Sequence, residues 1–462
     1  MSTPIAENLH TRITTTLLSR VERWLPSGSL RFRLAKGTFW SSASTVIMQL
    51  LALATSVVAA RLLGKDGFGQ LGIITSTVAV IGVLAGMGIA TTATKYIAEY
   101  RIRSVGRLGS IIGLLQVLTL ASTCVAAMGY YFLLPWLSTT VLSAPSLMSE
   151  LRLSTLLIVF TAIQGAQQGI LSGFERFRTI AVINVVRGAL TFLLTLLFIL
   201  QWQIWGSVLA LVVTMLLVCV HGQIAILALA RKEGVRIHYE NLKQEISLLW
   251  QFALPSLITS LIPGVATWFS YAQLVNQPGG FGEMGIVNVT HQWRQALVFL
   301  PSLFGQVLLP AIAGLFAAGR MQEFKQTLMK SIALTCIFSI LTALPIIALA
   351  YWIMGFYGPQ FADMGAVLVL IALSTIFYST AGIVGNGITS MGKMWHGMIL
   401  SALWAMVFIL FTRLLIHEGS LGFAKAYLFS YIAHTFFVAL YVLIVWKSIS
   451  THHTEDLSHK GK

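Results

Sequence analysis

Two arginines, Arg187 and Arg294, lie near the middle of long apolar stretches, and no carboxylate shares their depth. On translocon scales a charge at the bilayer centre costs about 2.5–3.5 kcal/mol, so such a residue normally faces a cavity or a partner. Their neighbours are polar at helical spacing. Asn184, Arg187, Thr191 and Thr195 follow i, i+3, i+7, i+11; Asn288, His291, Gln292 and Gln295 follow i, i+3, i+4, i+7, with Arg294 flanking them. Gln164, Gln167 and Gln168 form a third polar face, and Tyr378, Gly382, Gly385, Asn386 and Thr389 a fourth, less polar one. All 15 acidic residues fall in loops, in tails or near the ends of apolar stretches, the nearest being Glu99, Glu150, Glu175, Glu283 and Asp363. A cationic cavity without a carboxylate suits an anionic ligand, because a guanidinium meets phosphate or carboxylate through two parallel hydrogen bonds. The alternative is that each arginine bonds backbone carbonyls and fixes helix packing. His221, His291 and His434 are the other titratable groups at such depth, either proton carriers or helix-to-helix hydrogen-bonding residues. His291 stands out because it shares a face with Gln292 beside Arg294.

The elements that position these faces are membrane helices. With 56% hydrophobic residues, 10% charged and a mean hydropathy of +0.82, the chain is an all-α polytopic membrane protein. Stretches of span length fall at roughly 38–60, 70–92, 108–133, 153–172, 179–200 and 205–229, then at roughly 249–275, 284–312, 328–353, 364–390, 395–416 and 422–446. These about twelve spans divide into two pseudo-symmetric bundles of six. Gly-Phe-Gly-x-x-Gly-Ile occurs at Gly67 to Ile73 and again at Gly280 to Ile286, an offset of 213, and Gly106-Arg107 recurs at the same offset as Gly319-Arg320. Parallel halves of this kind mark membrane transporters. The expected organisation is a cytoplasmic tail with an interfacial helix over 1–35, a first lobe over 36–230, a cytoplasmic linker over 231–247, a second lobe over 248–446 and a cytoplasmic tail over 447–462.

The tails and the loops on their side hold 23 of the 30 Lys and Arg; the other side holds Arg61, Lys65, Arg152, Arg413 and Lys425. The positive-inside rule therefore puts both termini in the cytoplasm. The net charge of +15 is topological and calls for no nucleic-acid partner. Cys124, Cys219 and Cys336 are odd in number and sit within spans, so no disulfide framework or metal site is implied. No connection is long enough for an extracytoplasmic catalytic domain, and no Walker-type Gly-rich loop precedes a Lys-Ser/Thr, so ATP is not the direct energy source. Glycines four apart, Gly82 and Gly86, Gly109 and Gly113, and Gly165, Gly169 and Gly173, are expected to let helices of the first lobe approach closely.

Lys36-Gly37-Thr38-Phe39-Trp40, Ala60-Arg61-Leu62-Leu63-Gly64 and Gly67-Phe68-Gly69, together with Gly169-Ile170-Leu171-Ser172-Gly173-Phe174-Glu175-Arg176-Phe177, resemble motifs of bacterial polysaccharide transporters. These form a branch of the multidrug/oligosaccharidyl-lipid/polysaccharide (MOP) exporter superfamily, and the resemblance runs over about 36–446. It implies two six-helix bundles around a central cavity that opens alternately to either side of the bacterial inner membrane. It further implies flipping of undecaprenyl-pyrophosphate-linked oligosaccharides to the periplasmic leaflet, as in Wzx-type flippases, for surface polymers such as O-antigen or exopolysaccharide. On that reading pyrophosphate meets Arg187 and Arg294, sugars meet the Gln, Asn, Tyr and Trp faces with Asn184, Gln292, Gln164 and Gln168 among them and His291 as a further substrate-site residue, and Arg61 and Lys95 receive or release the head group or simply anchor the interface. Membrane lipids and the cargo are the implied partners, with a polymerase and a chain-length regulator alongside. No cofactor and no catalytic residue are implied. The competing readings are a cation-coupled multidrug exporter, which would be expected to carry a membrane-embedded carboxylate, and a membrane glycosyltransferase or polymerase, which the internal repeat disfavours.

Prolines 255, 263, 301, 310 and 345 all sit in second-lobe spans, and Pro263-Gly264 is either a hinge or a static kink. Pro263→Ala distinguishes them: a hinge predicts loss of transport in a folded protein, a static kink unchanged transport.

Overall fold

A computed structural model describes residues 30–103, 105–239, 257, 261–391 and 393–459. The expected interfacial helix within 1–29, the second part of the linker from 240 on and the beginning of the seventh span lie outside the described residues.

Every described element is helical: α1 Leu30–Gly86, α2 Ile89–Arg103, α3 Val105–Trp136, α4 Met148–Gly173, α5 Phe177–Lys232, α6 over 261–275, α7 Gly280–Ala317, α8 Met321–Ala348, α9 Ala350–Phe356, α10 Gly365–Ser390, α11 Met394–Leu415 and α12 Gly419–His459. The sequence spans map onto these, and three of the longest apolar segments hold two spans each. α1 breaks at Gly64 (φ 67°), α5 at Gln203 (φ 50°), and α11 passes to α12 through a short turn ending at Gly419 (φ 64°). A reversal at Gly64 follows from its flanks: Gln49 donates to the Gln292 carbonyl while Gly72 lies against Asn288, one turn away on α7. At Gln203 a Cβ on Gly206 would lie 2.1 Å from the Phe198 carbonyl, a closeness that an unbroken helix does not allow for residues eight apart.

The two copies of the glycine motif meet each other. A Cβ on Gly69 would lie 1.8 Å from the Phe281 carbonyl oxygen and 2.8 Å from Gly285 N, while one on Gly285 would lie 2.1 Å from the Lys65 carbonyl oxygen. Gly72 and Gly282 complete the crossing, with Asn288 Nδ2 and Asp66 Oδ1 each 2.9 Å from the position a Cβ would take. The second half of α1 and α7 thus cross at backbone contact, which only glycine permits.

Hydrogen bonds between the halves gather toward the same end. Asn288 Nδ2 donates to Phe68 O (3.3 Å), Arg61 Nε to Phe356 O (2.6 Å), the Lys65 amide to Gln360 Oε1 (3.0 Å) and Asn276 Nδ2 to Val141 O (2.7 Å). Deeper in, Trp268 Nε1 donates to Thr77 Oγ1 (2.9 Å), and the Tyr357 hydroxyl joins Ser56 Oγ (3.1 Å) to Trp293 Nε1 (3.1 Å). Buried side chains of both halves form one core over this seam, among them Phe68, Ile73, Ile74, Val287, Val289, Tyr357 and Phe361.

The small-residue stripes divide in their use. Gly169 and Gly173 receive α2, with Cβ positions 2.2 Å from Ala90 O and 2.7 Å from Ile97 Cβ, as expected for helix packing. Gly109 and Gly113 instead receive the extended segment 235–239, where the His238 amide donates to Gly109 O and Tyr239 Oη to Gln116 Oε1. Gly86 and Gly165 meet nothing. α3 runs further than its apolar stretch and takes Pro135 into its last turn.

Gly69→Ala tests the crossing. Its methyl has no room, and overpacking typically costs 1–3 kcal/mol, so the melting temperature in detergent falls by several degrees. Gly86→Ala, which enters open space, leaves it unchanged or slightly higher.

Candidate functional site

A cavity of about 880 Å3 lies between the halves, and most of its wall comes from the second. α6 contributes Trp268 and Tyr271, α7 His291 and Arg294, α10 Tyr378, Gly382, Gly385, Asn386 and Thr389, α11 Trp404, and α12 Tyr427, Tyr431 and His434. The first half supplies Ser76, Ala79, Val80 and Val83 from α1, all small or apolar. α10 starts just beyond Gln360 at the sealed end and runs away from it, so Asn386, Thr389 and nearby Gly397 carry the cavity toward the opposite end. Pro263 and Gly264 also line it.

Arg294 lies fourteen residues into α7, about 21 Å from its start at 1.5 Å per residue. Its guanidinium stands over two rings, 4.8 Å from the centroid of Tyr378 and 5.3 Å from that of Tyr427. Ring faces carry negative charge density, so they hold the cation in place of a carboxylate. Among the described residues Arg294 Nε, which is buried, has no hydrogen-bond partner, and no Asp or Glu lines the cavity. The rings are locked by each other: Tyr378 and Tyr431 at 5.4 Å, Tyr427 and Tyr431 at 5.0 Å, Trp404 and Tyr431 at 5.1 Å, with Phe408 stacked on Trp404 at 5.3 Å. His291 is fixed from both sides, its Nδ1 3.3 Å from Tyr271 Oη and its Nε2 3.2 Å from Gln295 Nε2.

The residues singled out in the sequence do not all converge here. Arg294 and His291 line the cavity. Arg187 does not; its Nη2 lies 2.6 Å from Met48 Sδ, against the first span. Gln164, Gln168 and Asn184 line a separate pocket with Gln167 and Gly222, whose volume of about 10 Å3 matches one water. Gln292 offers its carbonyl to Gln49. Arg61 bonds the Phe356 carbonyl at the sealed end, while Lys95 lies over the Tyr96 ring at 5.0 Å. Trp268, Tyr271, Trp404, Tyr427 and Tyr431 escaped the sequence reading. For α12 a signal was present, since Tyr427, Tyr431, His434 and Val438 follow i, i+4, i+7, i+11. Among the described residues no group of His, Cys, Asp or Glu is arranged to hold a metal ion.

Comparison with known proteins fits this geometry. Residues 34–316 match the family described as "Polysaccharide biosynthesis protein". The "EPS I polysaccharide export inner membrane protein EpsE" of Ralstonia nicotianae is 26% identical over 322 residues, covering 67% of this chain and 72% of its own. The "Lipid III flippase" of Escherichia coli (strain K12) is 22% identical over 425 residues, covering 90% and 99%. Among solved structures, an inward-facing multidrug resistance MATE family transporter of the MOP superfamily superposes with a TM-score of 0.73 at 13% identity, over 87% of this chain and 96% of that one. The lipid II flippase MurJ, in an inward closed conformation, gives 0.69 at 14% identity, over 87% of each. This multi-pass chain belongs to the polysaccharide biosynthesis protein family and has the fold of the MOP superfamily of transporters.

Proposed function

We propose that this protein flips undecaprenyl-pyrophosphate-linked oligosaccharides from the cytoplasmic to the periplasmic leaflet of the inner membrane for surface polysaccharide assembly. The observation that carries the reading is Arg294, a guanidinium at depth in a large cavity whose lining holds no carboxylate among the described residues. Pyrophosphate supplies the missing negative charge. The polysaccharide export named for EpsE and the lipid flipping named for lipid III flippase support the cargo class. With the termini in the cytoplasm, as the basic residues direct, the seal at Gly69 and Gly285 lies on the periplasmic side. The mouth of the cavity then faces the cytoplasm, where the cargo is made.

The chain makes and breaks no bond. Lobes over 36–230 and 248–446, joined by the linker 231–247, exchange a periplasmic seal for a cytoplasmic one. Only interactions that differ between the two states drive this exchange. Arg294 binds the pyrophosphate, and the sugars fill the polar and aromatic part of the cavity beside His291. The polyprenyl chain stays in lipid. A polymerase and a chain-length regulator act on the delivered unit. A cavity without carboxylates among its described lining residues argues against export of cationic drugs.

Leaflet translocation of a polyprenyl-pyrophosphate oligosaccharide in proteoliposomes checks this. Arg294→Ala lowers the rate at least tenfold in a protein that keeps its melting temperature, and Arg187→Ala/Arg294→Ala adds little further loss. Wild-type rates in the double variant would remove the pyrophosphate site from Arg294. A loss from Arg187→Ala alone equal to that from Arg294→Ala would show that both arginines reach the head group during the cycle.

A further inference from the structure

We infer that a trough on α10, floored by Gly382 and Gly385 and walled by Tyr378, Asn386 and Trp404, is a subsite for the sugar attached to the pyrophosphate. This rests on the flippase reading above and assigns the recognition of glycan, as distinct from phosphate, to named residues.

Most glycines with a structural duty in this chain betray it, because a Cβ would strike something; Gly69, Gly169 and Gly206 are examples. Gly382 and Gly385 are different. They lie on successive turns of one helix, both line the cavity, and among the described residues a Cβ on either would meet nothing within 4 Å. Neither has a positive φ. Glycine is the poorest helix former after proline, so neither packing nor backbone conformation nor helix stability accounts for two of them here. What their missing side chains create is space, and it lies against bare helix backbone.

The walls of that space match a sugar. Tyr378, one turn before Gly382, is 36% exposed and carries the Arg294 guanidinium 4.8 Å from its ring centroid. A pyrophosphate on Arg294 therefore brings its first sugar next to this ring and the trough. Aromatic faces receive the apolar C–H face of a pyranose, and amide side chains receive its hydroxyls. Asn386, one turn after Gly382, spends its Nδ2 on a long 3.4 Å contact to the Gly305 carbonyl, which leaves its Oδ1 for a hydroxyl. Trp404, packed on the Tyr431 ring that also meets Tyr378, is 3% exposed, and its Nε1 has no acceptor among the described residues. A buried donor without a partner is costly, and a sugar oxygen removes that cost once the indole turns its Nε1 toward the cavity it lines.

The open floor makes the test clean, since bulk can be added without disturbing the fold. Binding to the purified full-length protein is compared for undecaprenyl pyrophosphate and for undecaprenyl-pyrophosphate-N-acetylglucosamine, in the wild type, Gly382→Leu, Gly385→Leu and Trp404→Phe, with melting temperatures recorded. The wild type should bind the glycosylated lipid more tightly. Each leucine variant should keep its affinity for undecaprenyl pyrophosphate within about twofold and lose at least tenfold for the glycosylated lipid, and Trp404→Phe, which keeps an aromatic ring but removes the Nε1 donor, should show a smaller loss of the same kind. Equal wild-type affinity for the two lipids, a parallel loss of both in the leucine variants, or no loss of either would overturn the subsite while leaving Arg294 as the phosphate contact. A wild type that binds neither lipid would overturn the flippase reading itself, and the subsite with it.

Discussion

The contact between two copies of one glycine motif organises this molecule. Where Gly69 meets Phe281 and Gly285 meets Lys65, the halves touch backbone to backbone, and no side chain fits between them. Around that point the cross-half hydrogen bonds of Arg61, Lys65, Asn276 and Asn288 gather. With the halves pinned at one end, the divergence of their helices toward the other opens the cavity. A crossing made of backbone contacts and a few hydrogen bonds is also one that can part, because it holds no interlocked large side chain at its centre. The repeat in the sequence and the seal in the structure are therefore one feature: an internal duplication placed the same small-residue surface on each half, and the two surfaces became complementary to each other.

The halves are alike in fold and unlike in chemistry. In the cavity the first half presents Ser76, Ala79, Val80 and Val83, while the second presents a cation, two histidines and a layer of tyrosine and tryptophan. The polar groups singled out on α4 and α5 are spent within the first half, with Gln167 Nε2 bonded to the Cys219 carbonyl and Gln164, Gln168 and Asn184 closing a pocket one water in size. On the flippase reading the cargo head group travels with the second lobe and slides past a smooth first-lobe wall. Such a division limits the attachments that must break as the seal changes sides. The aromatic layer serves twice, since it stabilises Arg294 without neutralising it and so leaves the charge for the ligand.

Composition and repeat made the architecture legible. Apolar runs located the spans, and the 213-residue offset identified matching landmarks in the two halves. Arg294 was legible too, because a charge inside an apolar stretch is costly anywhere except at a cavity or partner. The sequence could not separate Arg294 from Arg187. Both lie on polar helix faces, and helical periodicity says which residues share a face but not what the face meets. Arg187 meets Met48, and only the packing of α5 against the first span decides that. The cavity aromatics were obscured for a similar reason: in a chain with 12 Trp, 12 Tyr and 26 Phe, a tyrosine stripe such as Tyr427 and Tyr431 reads equally well as packing. The glycines four apart were legible as small-residue stripes, yet two uses shared that one signature: helix crossing at Gly169 and Gly173 and docking of an extended segment at Gly109 and Gly113; Gly382 and Gly385, legible only as members of a polar face, border the open cavity.

The central claim is that the halves part at this seal while cargo crosses. Its most direct test is translocation of a polyprenyl-pyrophosphate oligosaccharide by a Lys65→Cys/Gln360→Cys protein lacking its native cysteines, bridged across the seal by a short reducible thiol cross-linker. The account predicts that bridging arrests translocation, that reduction restores it, and that each single cysteine variant is unaffected. Undiminished translocation by fully bridged protein would contradict it.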